Sequence, residues 1–255
     1  MVKKIIDKRN YIIFGIILIL FLLIISGYGK TKEYIKTFEY FNETITIKLY
    51  SNKNVDKIWK GIDIICSRYQ NYYDNSYSNV DKGLTNYGIT LYEKTNDLID
   101  VNSDVKFDSV IGPYVAVKIK KYLEKNGIDS YIINEEGNII TGSHYNKSKY
   151  KISITDVDGK LVDIVNLKNM NMAIKGNVSE YKPYMFNSIS GEKVLNNKLV
   201  VVVDKDLNRA NYIANVVYLL DFDKREDFVK NLNACALWQD ENGKIVMTES
   251  FKKYL

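Results

Sequence analysis

The sequence contains few of the residues from which metal, disulfide and nucleophilic sites are built. Its 255 residues include two cysteines, one histidine and two prolines. Cys66 and Cys235 lack CxxC or zinc-site spacing, and His144 lies in a polar stretch without a Ser/His/Asp arrangement. These absences argue against zinc sites and serine-hydrolase chemistry. The cysteines are compatible with one bridge in an oxidising compartment or with free thiols, and Cys66 falls on the apolar side of a predicted helix.

Linkers, repeats and strong charge are also missing. No Ser/Gly/Pro-rich segment, internal repeat or low-complexity block marks a boundary after residue 30. Residues 31–255 are therefore predicted to form one continuous domain. The net charge of +5 is mild for this length, and part of it precedes the domain. A nucleic-acid partner is not expected, because nucleic-acid binders concentrate positive charge on one face.

One long apolar run lies near the N-terminus. Between Arg9 and Lys30 there are 20 residues without a charge, enough to cross roughly 30 Å of hydrocarbon as a helix. We predict a cytoplasmic segment at 1–10, a single transmembrane helix at 11–29 and an extracytoplasmic domain at 31–255. The positive-inside rule gives this orientation, since basic residues dominate the first ten positions. The alternative is a cleaved signal peptide, with Gly27 and Gly29 at the small-residue positions.

Strand and helix patterns alternate irregularly along the rest of the chain. Residues 44–50 alternate as a strand, and 55–69 have helical periodicity. Pro113 suits a first helical turn and Gly127 a helix end, so a helix is predicted at 113–125. Further strands are predicted at 131–134, 138–141, 150–155 and within 161–174, further helices at 207–220 and 224–232, and a hairpin turn at 240–243. This order predicts an α+β fold.

Four segments between residues 105 and 221 follow a family pattern. They read VKFDSVIGPYVA, SYIINEEGNIITGS, MAIKGNVSEYKPYMFNSISG and NRANYIANVVYLLD. In order and spacing they resemble the VDLGGIAKG, NLGGD, TSG, His-before-DPxTG and ADAxxT motifs of FAD:protein FMN transferases (ApbE-like flavin transferases). Upstream, Thr44 in Asn42-Glu43-Thr44 stands where that family has Met-Gly-Thr.

The resemblance implies a mixed α/β domain of the flavin transferase type and a specific activity. Its members transfer FMN from FAD to a threonine of an acceptor protein, with Mg²⁺. For this chain it implies FAD as substrate and an acceptor in an extracytoplasmic electron-transfer system at the cell membrane. By position, the resemblance assigns a catalytic role to Tyr184, cofactor binding to Lys106, Gly112, Asn138 and Gly176, and metal binding to Ser109, Asn211 and Asn215.

Most of these positions differ chemically from the family pattern. Asn211 and Asn215 replace the metal-binding aspartate and threonine, and an amide oxygen can bind Mg²⁺ but carries no charge. Tyr184 replaces the histidine. A catalytically degenerate relative that binds flavin or a partner protein is therefore the alternative function, and a pair of polar surface residues is the alternative interpretation of the two asparagines. An unrelated envelope protein is a third possibility.

Overall fold

The fold is built on a twisted antiparallel sheet. The computed structural model describes residues 31–75, 81–94, 108–156, 159–176, 199–240 and 242–255, with the side chains of 108 and 109 left out. The strands in these residues are β1 (Lys32–Tyr40), β2 (Glu43–Ser51), β3 (Tyr131–Glu135), β4 (Asn138–Thr141), β5 (Tyr150–Thr155), β6 (Leu161–Leu167), β7 (Asn171–Lys175), β8 (Val200–Asp204), β9 (Cys235–Gln239) and β10 (Ile245–Met247).

Strand order follows the chain except for one excursion. The large sheet has the order β1-β2-β3-β4-β7-β8-β9-β10, and every neighbouring pair is antiparallel. β5 and β6 leave it to form a separate hairpin. Lys32 of β1 pairs with Ser51, and Tyr40 with Glu43, so β1 and β2 span the sheet from one end to the other. We call the end at Lys32 and Ser51 the entry end, and the end at Tyr40 and Glu43 the far end.

In the described residues, five helices cover one face of the sheet, and a short sixth helix lies on the opposite face, where its Phe251 is buried. They are α1 (Asp56–Asp74), α2 (Lys82–Lys94), α3 (Asp108–Lys125), α4 (Leu207–Leu219), α5 (Phe222–Asn231) and the short α6 (Glu249–Lys252). Asp206 caps the start of α4 by accepting a hydrogen bond from the Asn208 amide at 3.0 Å.

Two hydrophobic cores lie on opposite faces of the same sheet. In β8, Val200 and Val202 face the helices, whereas Val201 and Val203 face the β5–β6 hairpin and Phe251. This alternation follows from the period of two in a strand. β8 is buried on both sides, so its valine run has no polar alternation to identify it.

Most predicted elements are confirmed, and one helix start is wrong. α3 begins at Asp108, which places Pro113 inside the helix instead of in its first turn. A proline at this position removes only the bond to the carbonyl of residue 109, and the preceding Gly112 has no Cβ to crowd the ring. The hairpin turn at 240–243 is confirmed, with the Asp240 amide donating to the Lys244 carbonyl at 2.9 Å. Between β5 and β6, the Asp156 amide donates to the Lys160 carbonyl at 2.9 Å and closes the turn.

The predicted membrane helix at 11–29 lies outside the described residues. Among the helices that the structure describes, none is both long and apolar enough to span a bilayer. Both cysteines are free thiols, with Cys66 buried and Cys235 half-buried. Burial raises the pKa of Cys66 to about 12 and that of Cys235 to about 11.

Candidate active site at the far end of the sheet

Two glutamates converge beneath α3 at the far end of the sheet. Glu43 begins β2 and Glu135 ends β3, so the antiparallel register brings them to the same edge. Gly112 of α3 lies directly over them. A Cβ placed on Gly112 would be 2.2 Å from Glu43 Oε2 and 2.4 Å from Glu135 Oε1. The two carboxylates therefore point at one position, and only glycine lets the helix approach this closely.

The tight turn between β3 and β4 adds an amide to this pair. Glu136 (φ 42°) and Gly137 (φ 89°) have the two positive φ angles of a type I′ turn, which joins the strands predicted at 131–134 and 138–141. Asn138, which follows it, is buried at 3% exposure, and its Nδ2 donates to Glu135 Oε2 at 2.8 Å. Its Oδ1 accepts no hydrogen bond from the residues that the structure describes. Asn138 therefore presents a buried acceptor beside a carboxylate.

The two asparagines of α4 are buried, so their interpretation as surface residues is wrong. Asn211 is 0% exposed and Asn215 3%. Asn215 Nδ2 donates a long hydrogen bond to Asn211 Oδ1 at 3.4 Å, and Asn211 Nδ2 has no hydrogen-bond partner among the described residues. Because they are four residues apart, the two side chains share one face of the helix.

Tyr87 of α2 is buried near the asparagines and the carboxylates, and its hydroxyl makes no hydrogen bond to the residues that the structure describes. Burial raises the pKa of its phenol, and the nearby charges of Glu135 and Asp206 raise it further. The Asn211 amide lowers it in part, being near enough to act electrostatically but without the geometry of a hydrogen bond. The hydroxyl thus lies within electrostatic range of both groups. We call Glu43, Tyr87, Glu135, Asn138, Asn211 and Asn215 the far-end cluster.

Gly176 lies close to this cluster, whereas three predicted residues cannot be placed. Gly176 (φ 99°) follows β7, whose Ile174 amide donates to the Gly137 carbonyl at 2.9 Å. Gly112, Asn138 and Gly176 therefore share the far end. Lys106 and Tyr184 lie outside the described residues, as does the side chain of Ser109. His144 lies in the loop after β4, which ends at the entry end.

The cluster offers the oxygen ligands that a hard cation prefers. Carboxylates and amide carbonyls bind Mg²⁺, which usually takes one or two carboxylates and completes its shell with water or substrate phosphates. Glu43, Glu135 and Asn138 Oδ1 fit such a partial set, whereas the Asn211 oxygen already accepts from Asn215. In the described part of the chain, no three His, Cys, Asp or Glu side chains form a complete metal site.

Glu43, Glu135 and Tyr87 were not identified from the sequence as site residues. The signal for the glutamates was present, because both lie inside the quoted motif segments. Glu43 stands where the resemblance has the glycine of Met-Gly-Thr, and Glu135 where it has the leucine of NLGGD. Tyr87 had no comparable signal, since α2 was not predicted.

The family model of the ApbE family matches residues 53–238, which is most of the chain. The chain belongs to the ApbE family. Among curated protein sequences, none matches it significantly.

Solved structures of ApbE proteins share the fold. The chain is similar to the flavin transferase ApbE from Vibrio cholerae, with a TM-score of 0.74 and 14% identity over 88% of this chain and 100% of the other. It is similar to the flavinyl transferase ApbE of Pseudomonas stutzeri in its apo form, with a TM-score of 0.71 and 14% identity, covering 89% and 98%. The chain is also similar to the ApbE protein from Thermotoga maritima, with a TM-score of 0.71 and 14% identity over 88% of this chain and 99% of the other. The mixed α/β fold predicted by resemblance is therefore confirmed.

Proposed function

We propose that this protein is a membrane-anchored FAD:protein FMN transferase. One observation supports the proposal most directly: segments that resemble separate family motifs meet in the far-end cluster. Gly112 of α3 lies over Glu43 and Glu135, Asn138 binds Glu135, and Tyr87 lies within range of both Glu135 and Asn211. A surface loop or a simple hairpin would not require this convergence of buried polar groups.

The proposed reaction is a phosphoryl transfer without a net redox change. The hydroxyl oxygen of an acceptor threonine forms a bond to the phosphorus of the FMN half of FAD. The bond between that phosphorus and the bridging oxygen of the pyrophosphate breaks, AMP leaves, and the hydroxyl proton passes to a base or to water. Such transfers depend on positioning and on neutralisation of phosphate charge, which bound Mg²⁺ supplies.

Glu43, Glu135 and Asn138 would hold Mg²⁺ in this protein, with Asn211 and Asn215 as neutral supplementary oxygens. Ser109 remains a predicted ligand. The glutamates also repel an approaching pyrophosphate, because like charges at short range disfavour each other strongly in a partly desolvated site. FAD binding at this end should therefore depend on a divalent cation, and Tyr184, Lys106 and Gly176 remain predicted flavin or catalytic positions.

A degenerate, non-catalytic relative is the second candidate function. The hydrogen bond between the Asn215 and Asn211 amides favours it, because this pair satisfies itself in part and brings no charge to a metal. Such a protein would bind flavin or a partner through the same fold. Its flavin binding would not be accompanied by AMP release.

Membrane attachment and the choice of acceptor complete the proposal. We infer that residues 11–29 anchor the chain with its N-terminus in the cytoplasm and residues 31–255 outside. The acceptor would then be an extracytoplasmic protein of an electron-transfer system. The support is the uncharged run between Arg9 and Lys30 and the basic residues before it.

The test is an AMP-release assay on the full chain in detergent. Purified protein is incubated with FAD, Mg²⁺ and solubilised membrane proteins from its host, and free AMP and denaturation-resistant protein flavin are measured. We expect both products in equal amounts, and neither when EDTA replaces Mg²⁺. Mg²⁺-independent FAD binding without AMP would establish the degenerate relative. Absence of FAD binding under all conditions would contradict the transferase and any flavin-binding relative, and would leave only a partner-binding scaffold.

A further inference from the structure

Four aromatic rings form a cluster at the entry end of the sheet. Tyr145 stacks on Tyr50 with ring centroids 4.7 Å apart and on His144 at 4.5 Å, and His144 lies 4.5 Å from Tyr150. Tyr50 and His144 are themselves only 6.2 Å apart, so they do not sandwich Tyr145 from opposite sides. Tyr145 is 50% exposed. Much of the Tyr145 side chain is therefore accessible to solvent.

Lysines surround this aromatic cluster. Lys147 and Lys149 are exposed in the same loop, and Lys168 Nζ donates to the Lys147 carbonyl at 3.1 Å. Lys32 and Lys53 line a shallow pocket of about 320 Å³ at the same end, together with Tyr34 and Asn52. The nearby carboxylates include those of Glu33, Asp56, Glu124 and Asp129; Glu33 is paired with Lys48 at 3.7 Å, and Glu124 accepts from the Tyr131 hydroxyl at 2.9 Å. Positive charge prevails at this end.

The chain enters the domain at this same place. β1 begins at Lys32, two residues after Lys30 closes the uncharged run. Lys32 pairs with Ser51, and the next pair joins Glu33 to Tyr50 of the aromatic cluster. A connection of two or three residues spans at most about 10 Å, so the entry end cannot lie far from the end of the run.

We propose that the entry end is the membrane-facing surface of the domain. Tyrosine rings favour the headgroup level of a bilayer, where one part of the ring is apolar and the hydroxyl stays hydrated. Lysines beside them bind the phosphates of anionic lipids, and the shallow pocket admits a headgroup. This proposal rests on the proposed anchoring of the chain by residues 11–29, and it does not depend on catalysis. It assigns one orientation to the domain: the far-end cluster points away from the bilayer.

The test places a fluorescent label at each end of one hairpin. Tyr145→Cys and Leu161→Cys are made in the full chain and labelled with an environment-sensitive fluorophore. Leu161 is a matched control, being 61% exposed and paired with Thr155 at the end of the β5–β6 hairpin opposite to Tyr150. The parent chain corrects for labelling of the native cysteines. Each protein is reconstituted into phosphatidylcholine vesicles with and without phosphatidylserine, and a headgroup-linked quencher is added to the lipid.

We expect several-fold stronger quenching at 145 than at 161. Quenching at 145 should weaken in high salt, without phosphatidylserine, or in a Lys147→Gln, Lys149→Gln background, because screening and charge removal weaken lipid contact. Equal quenching at both positions, or none at either, in protein that floats with the vesicles would overturn the proposed surface and leave anchoring intact. Protein that does not float with the vesicles would overturn anchoring and the surface together. Neither result depends on FAD or AMP.

Discussion

Glu43 and Glu135 give the far-end cluster an unusual charge for a phosphate-handling site. Both carboxylates point toward Gly112 of α3, and Glu135 is 1% exposed. Glu135 Oε2 accepts a hydrogen bond from the neutral amide of Asn138 at 2.8 Å. A pyrophosphate brought to this point needs a cation between itself and the carboxylates. The sign of this charge can be tested at single residues.

Glu135→Gln should weaken the dependence of FAD binding on Mg²⁺. Removing one charge lowers repulsion, so FAD affinity without Mg²⁺ should rise about tenfold, corresponding to about 1.4 kcal/mol. Fluorescence titration of FAD with and without Mg²⁺ measures this, and Glu93→Gln on exposed α2 surface is the matched control. Unchanged affinities under both conditions would place the pyrophosphate elsewhere.

Asn211→Asp combined with Asn215→Thr should raise Mg²⁺ affinity. The double change restores a charged oxygen on the buried face of α4, and a carboxylate binds Mg²⁺ more strongly than an amide. Calorimetric titration of Mg²⁺ is the measurement, with the exposed Asn126→Asp as control and circular dichroism as a check of folding. If Mg²⁺ affinity stays at the parent value, this face of α4 does not contact the metal.

At the scale of elements, α2 depends on one capping residue. Asp81 Oδ1 accepts from the Leu84 amide at 2.8 Å and from the Tyr114 hydroxyl at 3.1 Å, and Asp81 Oδ2 accepts from Tyr69. One carboxylate thus joins the start of α2 to α1 and α3. Burial opposes ionisation of Asp81, but these hydrogen bonds and Lys118 outweigh it and hold its pKa below the usual value. α2 in turn positions Tyr87.

Asp81→Asn should lower the free energy of unfolding by about 1–3 kcal/mol at neutral pH, because charged hydrogen bonds become neutral and one acceptor is lost. A depressed carboxyl pKa stabilises the fold above the unfolded pKa, and the effect is lost as pH falls through the folded value. The difference between parent and variant should therefore shrink below about pH 4. Urea unfolding at several pH values measures it, with the exposed Asp227→Asn as control. A constant difference across pH would contradict the role of this charge.

Elements with a clear period were predicted well, and elements without one were missed. Residues 44–50 and 150–155 form strands as predicted from the sequence. β8 was missed because its valines are buried on both faces, and β1 because most of its side chains are exposed on an edge strand. α2 contains two glycines and depends on Asp81, which helix propensity does not reveal.

At the scale of the molecule, the two cores stabilise each other through one sheet. Phe251 lies in the core opposite the helices and is fully buried, while Trp59 packs against the helix-face core. Because β8 and β9 contribute side chains to both cores, neither core can be lost while the other persists. We therefore expect cooperative unfolding of the whole domain.

Phe251→Ala should lower the free energy of unfolding by about 3–5 kcal/mol, the usual cost of deleting a buried phenylalanine. Thermal unfolding followed by circular dichroism and by tryptophan fluorescence should shift together. The exposed Leu255→Ala is the control at the same terminus. Two separated transitions, with only one shifted, would show that the cores unfold independently.

The location of the candidate site was predictable only through motif order. Gly112, Asn138 and Gly176 come from distant segments, and the structure brings them to one end of the sheet. Their roles remain predictions. Periodicity could not reveal the convergence of Glu43 and Glu135, since it depends on the register of β2 with β3 and on how closely α3 approaches.

The length of β1, nine residues, sets the distance between the entry end and the far end of the sheet. At about 3.3 Å per residue, the eight steps from Lys32 to Tyr40 separate the entry end from the far end by roughly 26 Å. If the entry end rests on lipid, Glu43 and Glu135 lie at about this distance from the bilayer surface. A threonine held at the membrane surface would then be out of reach, whereas one carried on a protruding domain of similar height would meet the cluster. The length of β1 would thereby select acceptor proteins by the height of their threonine above the membrane, before any side chain recognises them.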